Sequence, residues 1–157
     1  MPLVHIVLFE PQIPPNTGNV ARTCAATGTV LHLVQPLGFH IDDRSLRRAG
    51  VDYWHLVDVR LHEDLHEVID EAQQSGAQMY FFTKFAKRSY TEVSYHGEDY
   101  LVFGKETTGL PPFIHEQYAS SCLRLPMGQA MRSLNLSNTV AIALYEALRQ
   151  LDFPGLS

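Results

Sequence analysis

Apolar residues along the chain form two kinds of pattern, short continuous runs and longer stretches in which they recur every three or four positions. Continuous runs are typical of strands buried on both faces, as in a parallel sheet, and the longer spacing is typical of amphipathic helices. The predicted strands are Leu3–Phe9, Val30–Gln35, His55–Val59, Gln78–Thr83, Tyr100–Phe103 and Cys122–Leu125. The predicted helices are Asn16–Ala26, Asp42–Ala49, Glu63–Ser75, Pro112–Tyr118 and Leu136–Leu151, and Lys84–Gly97 is predicted to be a polar loop.

The alternation of these strands and helices predicts the fold class. It indicates an α/β fold with an open, mostly parallel sheet and helices on both faces. Asn16 is predicted to cap the first helix and Gly28 to end it, because these residue types favour those positions. The sequence of 157 residues contains no internal repeat, low-complexity tract or linker. We therefore expect a single domain over residues 1–157.

Three connecting segments carry residues that buried strands do not need. They are Pro11–Arg22, Gly104–Pro111 and Leu125–Asn138, and each begins where a predicted strand ends. Within them Gly104, Gly109 and Gly128 permit a positive φ or a close approach of the backbone. Because open α/β sheets bind ligands at the carboxyl ends of their strands, we expect a ligand site there. Turn glycines alone would be the simpler explanation for any one of the three.

The sequence lacks the usual nucleotide-binding motifs. No GxxxxGK[ST] segment is present, and no GxGxxG segment follows the first predicted strand. The segment after that strand contains Pro14 and Pro15, which have no N–H groups to offer a pyrophosphate. A P-loop is thus excluded, and an ordinary dinucleotide-binding fold is not expected.

One short pattern, HEDLH, matches the HExxH motif of zinc peptidases. In that motif two histidines one helical turn apart would bind zinc, and the glutamate would act as the base. Here these residues are His62, Glu63 and His66, at the start of a predicted acidic helix. Because no clear third ligand follows, we interpret the pattern as an exposed acidic helix face. We expect no metal site, and we interpret the other histidines as structural or exposed.

Composition narrows the class of protein further. The formal net charge of −5 means that binding to nucleic acid would require a local basic patch. The two cysteines, Cys24 and Cys122, are too few for a disulfide framework and favour a reducing compartment. Both lie on apolar elements, so we interpret them as core residues and not as nucleophiles. No basic segment followed by an apolar run opens the sequence, and no apolar stretch of about 18 residues occurs, so we expect a cytoplasmic protein.

The three connecting segments together resemble a known family. PPNTGNVARTCAATG, FGKETTGLP and LRLPMGQAMRSLNLSNTVAIALYEALRQ are similar to the motifs of the SpoU branch of the SPOUT superfamily. These are RNA ribose 2′-O-methyltransferases that use S-adenosylmethionine. The segments IPPNTGN and DDRSLRRAGVDYW resemble the subgroup that modifies the wobble nucleotide of tRNA without an appended RNA-binding domain.

The resemblance implies a function and an assembly. The expected reaction is 2′-O-methylation of cytidine or modified uridine at position 34 of leucine tRNAs, through contacts to the anticodon stem-loop. The expected fold ends in a deep C-terminal trefoil knot. Members of the family are homodimers, so the helix Ser137–Leu151 would lie in the dimer interface, where Tyr145 would have an interface or packing role. Each site would borrow groups from the partner.

The resemblance also assigns site residues. Asn16 and Arg22, six residues apart on one side of the first helix and its cap, would form the catalytic centre together with Glu106 and Asn135. A guanidinium is effectively always protonated. We therefore expect Arg22 to bind an RNA phosphate or to stabilise the developing alkoxide, and not to act as a base. The residues expected to bind the cofactor are Phe81, Gly104, Leu125, Met127, Ser133 and Leu134.

Basic residues cluster in two segments that could bind RNA, although either cluster alone would also suit a solvated surface. Arg22, Arg124 and Arg132 lie near the motif segments, and unstacked bases could stack on Tyr53, Trp54 or Tyr90. The two clusters are Arg44, Arg47 and Arg48, and Lys84, Lys87 and Arg88.

Two features depart from the subgroup pattern, and two other functions stay open. Thr108 stands where the subgroup has a basic residue, and Gly128–Met131 differs from the usual polar linker; both affect RNA contacts more than the reaction type. The chain could instead methylate another tRNA or rRNA site, because fold and motif set the chemistry and not the substrate. It could also be a catalytically inactive knotted protein that binds RNA or acts as a chaperone.

Overall fold

The computed structural model describes residues 3–41, 54–131 and 133–157. Several predictions fall outside these residues. They are the helix Asp42–Ala49, the aromatic Tyr53 and the basic residues Arg44, Arg47, Arg48 and Arg132.

The described residues form one seven-stranded sheet in which every pair of neighbouring strands is parallel. This confirms the predicted α/β class. The order across the sheet is β3-β2-β1-β6-β4-β7-β5. The strands are β1 His5–Phe9, β2 Val30–Val34, β3 Val59–His62, β4 Met79–Phe82, β5 Arg88–Ser89, β6 Tyr100–Phe103 and β7 Cys122–Arg124.

Helices cover both faces of the sheet, because successive strand residues point to opposite faces. Ile6 and Leu8 face a core shared with the first and last helices, and Val7 and Phe9 face a core shared with the two others. The helices are α1 Pro14–Thr27, α2 Leu65–Ser75, α3 Pro112–Gln117 and α4 Leu136–Gln150, and short 3₁₀ turns cover Trp54–Leu56 and Ala119–Ser121.

Helix α1 begins two residues earlier than the sequence pattern predicts. Pro14 and Pro15 occupy its first turn, where the missing N–H groups cost nothing. Ile13 is the N-cap residue and makes no side-chain capping hydrogen bond, so the prediction that Asn16 caps the helix is wrong. Gly28 ends the helix in the left-handed conformation with φ 68°, as predicted.

Two further predictions, one for a strand and one for a loop, are also wrong. The segment His55–Val59 does not form a strand; its beginning lies in the 3₁₀ turn, and β3 starts only at Val59. The predicted loop Lys84–Gly97 contains β5, which pairs with β7 over two residues. Neither position carries a long apolar run, and edge pairing of so few residues depends on the neighbouring strand more than on local sequence.

The HEDLH pattern is divided between two elements. His62 is the last residue of β3 and is buried, whereas α2 begins at Leu65 with the Asp64 carboxylate accepting the Glu67 N–H as its cap. Glu63 and His66 are exposed, as the acidic-face interpretation predicts. That interpretation is wrong for His62. The peptidase arrangement of two histidines on one helical turn does not occur here.

Three of the histidines are buried in the sheet. His5, His32 and His62 are each at most 6% exposed and are hydrogen-bonded to one another. Burial, together with the neighbouring His5 and His62, lowers the pKa of His32 to about 3. His32 is therefore a neutral imidazole at pH 7.

Among the described residues, none of the helices combines the length and the apolar character that a membrane crossing requires. The C-terminal knot and the single-domain extent of residues 1–157 stay predictions from the sequence.

Both cysteines lie in the core, and this generates a prediction about thiol reactivity. Cys24 is 0% exposed, Cys122 is 5% exposed, and burial raises the pKa of both thiols. We expect iodoacetamide at pH 8 to label neither thiol in the folded protein and both in urea, because the thiolate is the reactive form. Mass spectrometry of the labelled protein measures this. Rapid labelling of Cys24 in the folded protein would contradict its assignment to the core.

Candidate functional site

The three segments singled out in the sequence meet at one edge of the sheet. Strand β1 pairs with β6, β6 with β4, and β4 with β7. Because these strands are parallel, the segments that follow β1, β6 and β7 all emerge at their carboxyl ends. The register brings Leu8 opposite Phe103, and Phe103 opposite Phe82. The predicted position of the ligand site therefore coincides with a real junction of three loops.

The carboxylate of Glu106 joins the second segment to the first. Its Oε1 accepts the backbone N–H of Gln12 at 2.9 Å, and its Oε2 accepts the backbone N–H of Ile13 at 3.0 Å. The same Oε2 accepts the side-chain amide Nδ2 of Asn16 at 3.2 Å. One side chain from the segment after β6 thus fixes both the backbone and a side chain at the start of α1.

The sequence around Gln12 explains why this carboxylate lies where it does. In the segment PQIPP, the prolines at 11, 14 and 15 have no N–H group, so Gln12 and Ile13 offer the two backbone donors. These donors stand at the N-terminus of α1, where the helix dipole favours a negative charge. The proline-rich turn therefore presents a compact site for one carboxylate, and Glu106 occupies it.

Asn135 connects the third segment to the same group. Its Nδ2 donates to Asn16 Oδ1 at 3.0 Å. Its Oδ1 caps α4 by accepting from Asn138 N at 3.2 Å and from Ser137 Oγ at 2.6 Å. The amide orientation of Asn135 follows from the capping contacts, and that of Asn16 follows from Glu106, which can only accept while ionised. The structure thus joins three of the four predicted catalytic residues in one hydrogen-bonded line.

Gln12 takes part in this junction although the sequence analysis did not single it out. Its side-chain oxygen accepts from Thr107 Oγ1 at 2.7 Å and from Thr107 N at 3.2 Å. An ion pair between Lys105 Nζ and Glu10 Oε1 at 2.9 Å joins the second segment to the residue just before the first segment. The signal available in the sequence was that Gln12 is a polar residue with an N–H group between prolines.

Gly104 and Gly109 close the second segment on itself. Lys105 and Gly109 exchange two backbone hydrogen bonds, and Gly109 has φ 74°. A Cβ atom on Gly104 would lie 2.3 Å from the carbonyl carbon of Gly109. Glycine is required at position 104 because two stretches of backbone touch there. This contact holds Glu106 in a tight turn.

Arg22, the fourth predicted catalytic residue, lies on α1 with an exposed side chain, whereas Asn16 is buried. Six residues turn an α-helix by about 600° and advance about 9 Å. The two residues are therefore about 120° apart around the helix, and the expectation that they share one side is wrong. The Arg22 side chain is exposed, on the helix that begins at the junction.

The residues expected to bind the cofactor differ in exposure. Phe81 is buried inside β4 against Tyr118, so only its backbone is available to a ligand. Leu125 is buried in the core just after β7. Gly104 and Met127 are half-buried, and Ser133 and Leu134 are exposed. All except Phe81 lie in the segments after β6 and β7, at the junction side of the sheet.

The second basic cluster borders an open pocket of about 320 Å³ at the same edge. Lys84, Arg124 and Met127 line it, and Lys87 and Arg88 are exposed nearby in sequence. The predicted stacking residues Trp54 and Tyr90 are half-buried. The residues that complete the lining are Phe85, Gly128, Gln129 and Met131.

Phe85 is an aromatic residue of this pocket that the sequence analysis missed. Its side chain is 71% exposed, and Lys84 Nζ lies 5.3 Å from its ring centre. An aromatic ring held out to solvent beside cations is suited to stacking with a nucleobase. Nothing in the local pattern separates an exposed phenylalanine from a buried one, so only the structure identifies it.

Comparison with known proteins identifies the family of the chain. A model of the SpoU rRNA Methylase family matches residues 3–145. A protein of Geobacillus stearothermophilus is 51% identical over 157 residues, covering 98% of this chain and 99% of the relative; its name provisionally describes it as a tRNA (cytidine(34)-2′-O)-methyltransferase.

Solved structures share the fold. One, described as giving insight into the 2-OH methylation of C/U34 on tRNA, has a TM-score of 0.91 and 43% identity, covering 96% of this chain and 97% of that one. An AdoMet-bound rRNA methyltransferase from Sinorhizobium meliloti has a TM-score of 0.86 and 24% identity, covering 95% of this chain and 57% of that one. At that identity the second likeness concerns the fold alone.

The close contact at Gly104 predicts a pair of contrasting variants. Gly104→Ala should lower the free energy of unfolding by about 2 kcal/mol or more, because the new methyl group meets backbone that must move. Gly128→Ala has nothing within 4 Å of its Cβ and should change stability by less than about 0.5 kcal/mol. Urea unfolding followed by circular dichroism measures both. Equal midpoints for the two variants would contradict the assigned role of Gly104.

Proposed function

This chain belongs to the SpoU rRNA methylase family, and we propose that it transfers a methyl group from S-adenosylmethionine to the ribose 2′-hydroxyl of the wobble nucleotide in tRNA. The observation that carries the proposal is the line Asn135–Asn16–Glu106, which joins three separate segments at one sheet edge. The proposed substrate is cytidine or modified uridine at position 34 of leucine tRNAs. The relatives named for C34 support the choice of nucleotide.

The residues at the junction fit the proposed methyl donor. S-adenosylmethionine supplies a methyl group bound to a positively charged sulfur. Backbone groups of the tight turn at the half-buried Gly104 would bind the edge of the adenine. Met127 and Leu134 offer partly exposed apolar surface for its faces. Phe81, Leu125 and Ser133 complete the proposed binding set, with Phe81 contributing through its backbone.

Methyl transfer requires positioning and charge stabilisation more than bond activation. The ribose oxygen forms a bond to the methyl carbon while the carbon–sulfur bond breaks in line and its electron pair stays on the sulfur as a neutral thioether, and the hydroxyl proton passes to water. Glu106 and Asn135 hold the two ends of the Asn16 amide. The amide can therefore orient the ribose or the group next to it. Arg22, which is always cationic, stabilises the oxygen as it becomes negative or binds the adjacent phosphate. We propose that this step needs no metal ion.

The RNA would lie across the pocket between the segments after β4 and β7. Lys84, Lys87 and Arg88 would contact phosphates of the anticodon stem-loop, and Phe85 would stack with an unpaired base of the loop. Because these contacts release counterions, affinity for tRNA should fall as salt rises. The acidic helix α2 packs against the core that contains Val7 and Phe9. Its charge is opposite to that of the basic residues proposed to bind RNA.

We propose that the active form is a homodimer in the cytoplasm, where tRNA is available. The outer face of α4 supports this assembly, since Ile142 is 41% exposed and Tyr145 is 46% exposed. Phe153, 39% exposed, lies 6.4 Å from the Tyr145 ring and extends the same surface. An apolar surface of this kind on a helix is typical of an interface between subunits.

The test of this function compares arginine variants in methyl transfer. With labelled S-adenosylmethionine and bulk tRNA, Arg22→Ala should transfer methyl groups at least about 100-fold more slowly than the wild type, because a cationic donor to the reacting group is lost. Arg22→Lys keeps the charge but not the planar guanidinium, so its rate of methyl transfer should lie between those of Arg22→Ala and the wild type. Arg60→Ala removes an exposed arginine on β3 and serves as the matched control.

Mapping the labelled nucleotide by mass spectrometry separates the alternatives. Label on the ribose of position 34 supports the proposal. Label at another tRNA position or in rRNA would show that this other site is the substrate. No label with the wild type would support the alternative that the chain binds RNA without catalysis. An Arg22→Ala rate equal to that of the wild type would remove Arg22 from the catalytic centre.

A further inference from the structure

A line of three buried histidines crosses the sheet on the face that packs against α2. His5 begins β1, His32 lies in the middle of β2, and His62 ends β3. His5 Nδ1 lies 2.8 Å from His32 Nε2, and His32 Nδ1 lies 2.8 Å from His62 Nε2. The proposed methyl transfer makes no use of these side chains.

A carboxylate stands at each end of the line. Glu98 Oε2 lies 3.0 Å from His5 Nε2, and Glu67 Oε1 lies 3.1 Å from His62 Nδ1. An ionised carboxylate only accepts hydrogen bonds, so each of these two ring nitrogens carries a proton. The tautomers of the two outer histidines are therefore fixed by their partners.

The fixed tautomers leave one gap in the line. A single ring proton on His5 at Nε2 leaves Nδ1 as an acceptor, so His32 donates from Nε2. In its neutral form, which burial favours, His32 then has a lone pair at Nδ1. That lone pair faces His62 Nε2 across 2.8 Å in the core. A cation between the two nitrogens, either a proton or a metal ion, makes this contact favourable.

A third ligand, the carboxylate of Glu71, lies beside this gap. Glu71 Oε2 is 3.9 Å from His32 Nδ1, and the ligand atoms of His32, His62 and Glu71 all lie within 4.8 Å of one another. Tyr100 Oη donates to Glu71 Oε2 at 2.6 Å and holds the carboxylate in place. The Glu71 side chain is 39% exposed, so an ion can reach the site from solvent.

We propose that His32, His62 and Glu71 form a binding site for a divalent transition-metal ion of the zinc class, with His32 Nδ1, His62 Nε2 and a Glu71 oxygen as ligands and water in the open position. Two imidazoles and a carboxylate are a ligand set that zinc favours. Zinc–nitrogen bonds of about 2.0 Å in a tetrahedral site place two nitrogens about 3.3 Å apart, so the rings separate by about half an ångström on binding.

The surroundings already supply the outer contacts of such a site. Each ligand histidine donates its other ring N–H. His62 donates to Glu67, and His32 donates to His5. His5 donates in turn to Glu98. Contacts of this kind orient metal-binding imidazoles. The bound ion would cross-link β2, β3 and α2. The site lies apart from the proposed transfer junction and differs from our expectation, from the sequence, that the chain holds no metal.

Calorimetric titration of the chelator-treated full chain with ZnCl₂ tests the proposal. We expect one ion per chain with a dissociation constant at or below the micromolar range. At 100-fold excess over that constant, the thermal unfolding midpoint should rise by about 5 °C or more. No heat of binding together with an unchanged midpoint would overturn the proposal, because it would show that a proton alone fills the gap.

Variants and a direct probe assign the ligands. Glu71→Gln, at a half-exposed position, should weaken zinc binding at least about 10-fold. His66→Gln, on the same helix but outside the site and stacked on Phe113 at 4.6 Å, is the matched control and should bind as the wild type does. Long-range ¹H–¹⁵N spectra of the wild type need no variant to fold. They should show zinc-dependent shifts of His32 Nδ1 and His62 Nε2, and shifts confined to exposed histidines would overturn the assignment.

Discussion

One carboxylate determines the geometry of the proposed site. Glu106 accepts the two backbone N–H groups that a proline-rich turn can offer, and it accepts the amide of Asn16 at the same time. Since an ionised carboxylate can only accept, the Asn16 amide must present its oxygen to Asn135. This one set of contacts connects the start of α4, the start of α1 and the turn after β6.

The sheet makes that contact possible. Its parallel register delivers three segments to one edge, and the absence of a side chain at Gly104 lets the turn that carries Glu106 close on Gly109. The apolar strands thus supply position, whereas the polar segments supply chemistry. The face of the sheet that packs against α2 differs, because His5, His32 and His62 place polar side chains inside the core there.

The sequence predicted most of this framework and missed particular polar contacts. The long apolar runs identified the central strands, because residues buried on both faces must be apolar. The pattern failed at β5 and β3, where pairing comes from a neighbouring strand. It also failed at Asn16, whose side chain serves the junction and not the helix cap. The histidines looked scattered because their spacing in sequence carries no sign of neighbouring strands, and Phe85 gave no sign of its exposure.

A single-turnover measurement of methyl transfer to tRNA tests the central claim, with Glu106→Gln, Asn135→Asp and the double variant. Glu106→Gln places an NH₂ group against the backbone N–H of Gln12 or of Ile13 in either orientation, and Asn135→Asp places a carboxylate oxygen against Asn16 Oδ1, so each change should slow transfer. In the double variant the amide of Asn16 can turn over, accept from the new amide at position 106 and donate to the new carboxylate at position 135, so the two effects are coupled. Our account predicts that the double variant is faster than the product of the two single effects. A double variant slowed by the product of the two single effects would show that Glu106 and Asn135 act independently, and it would contradict the account.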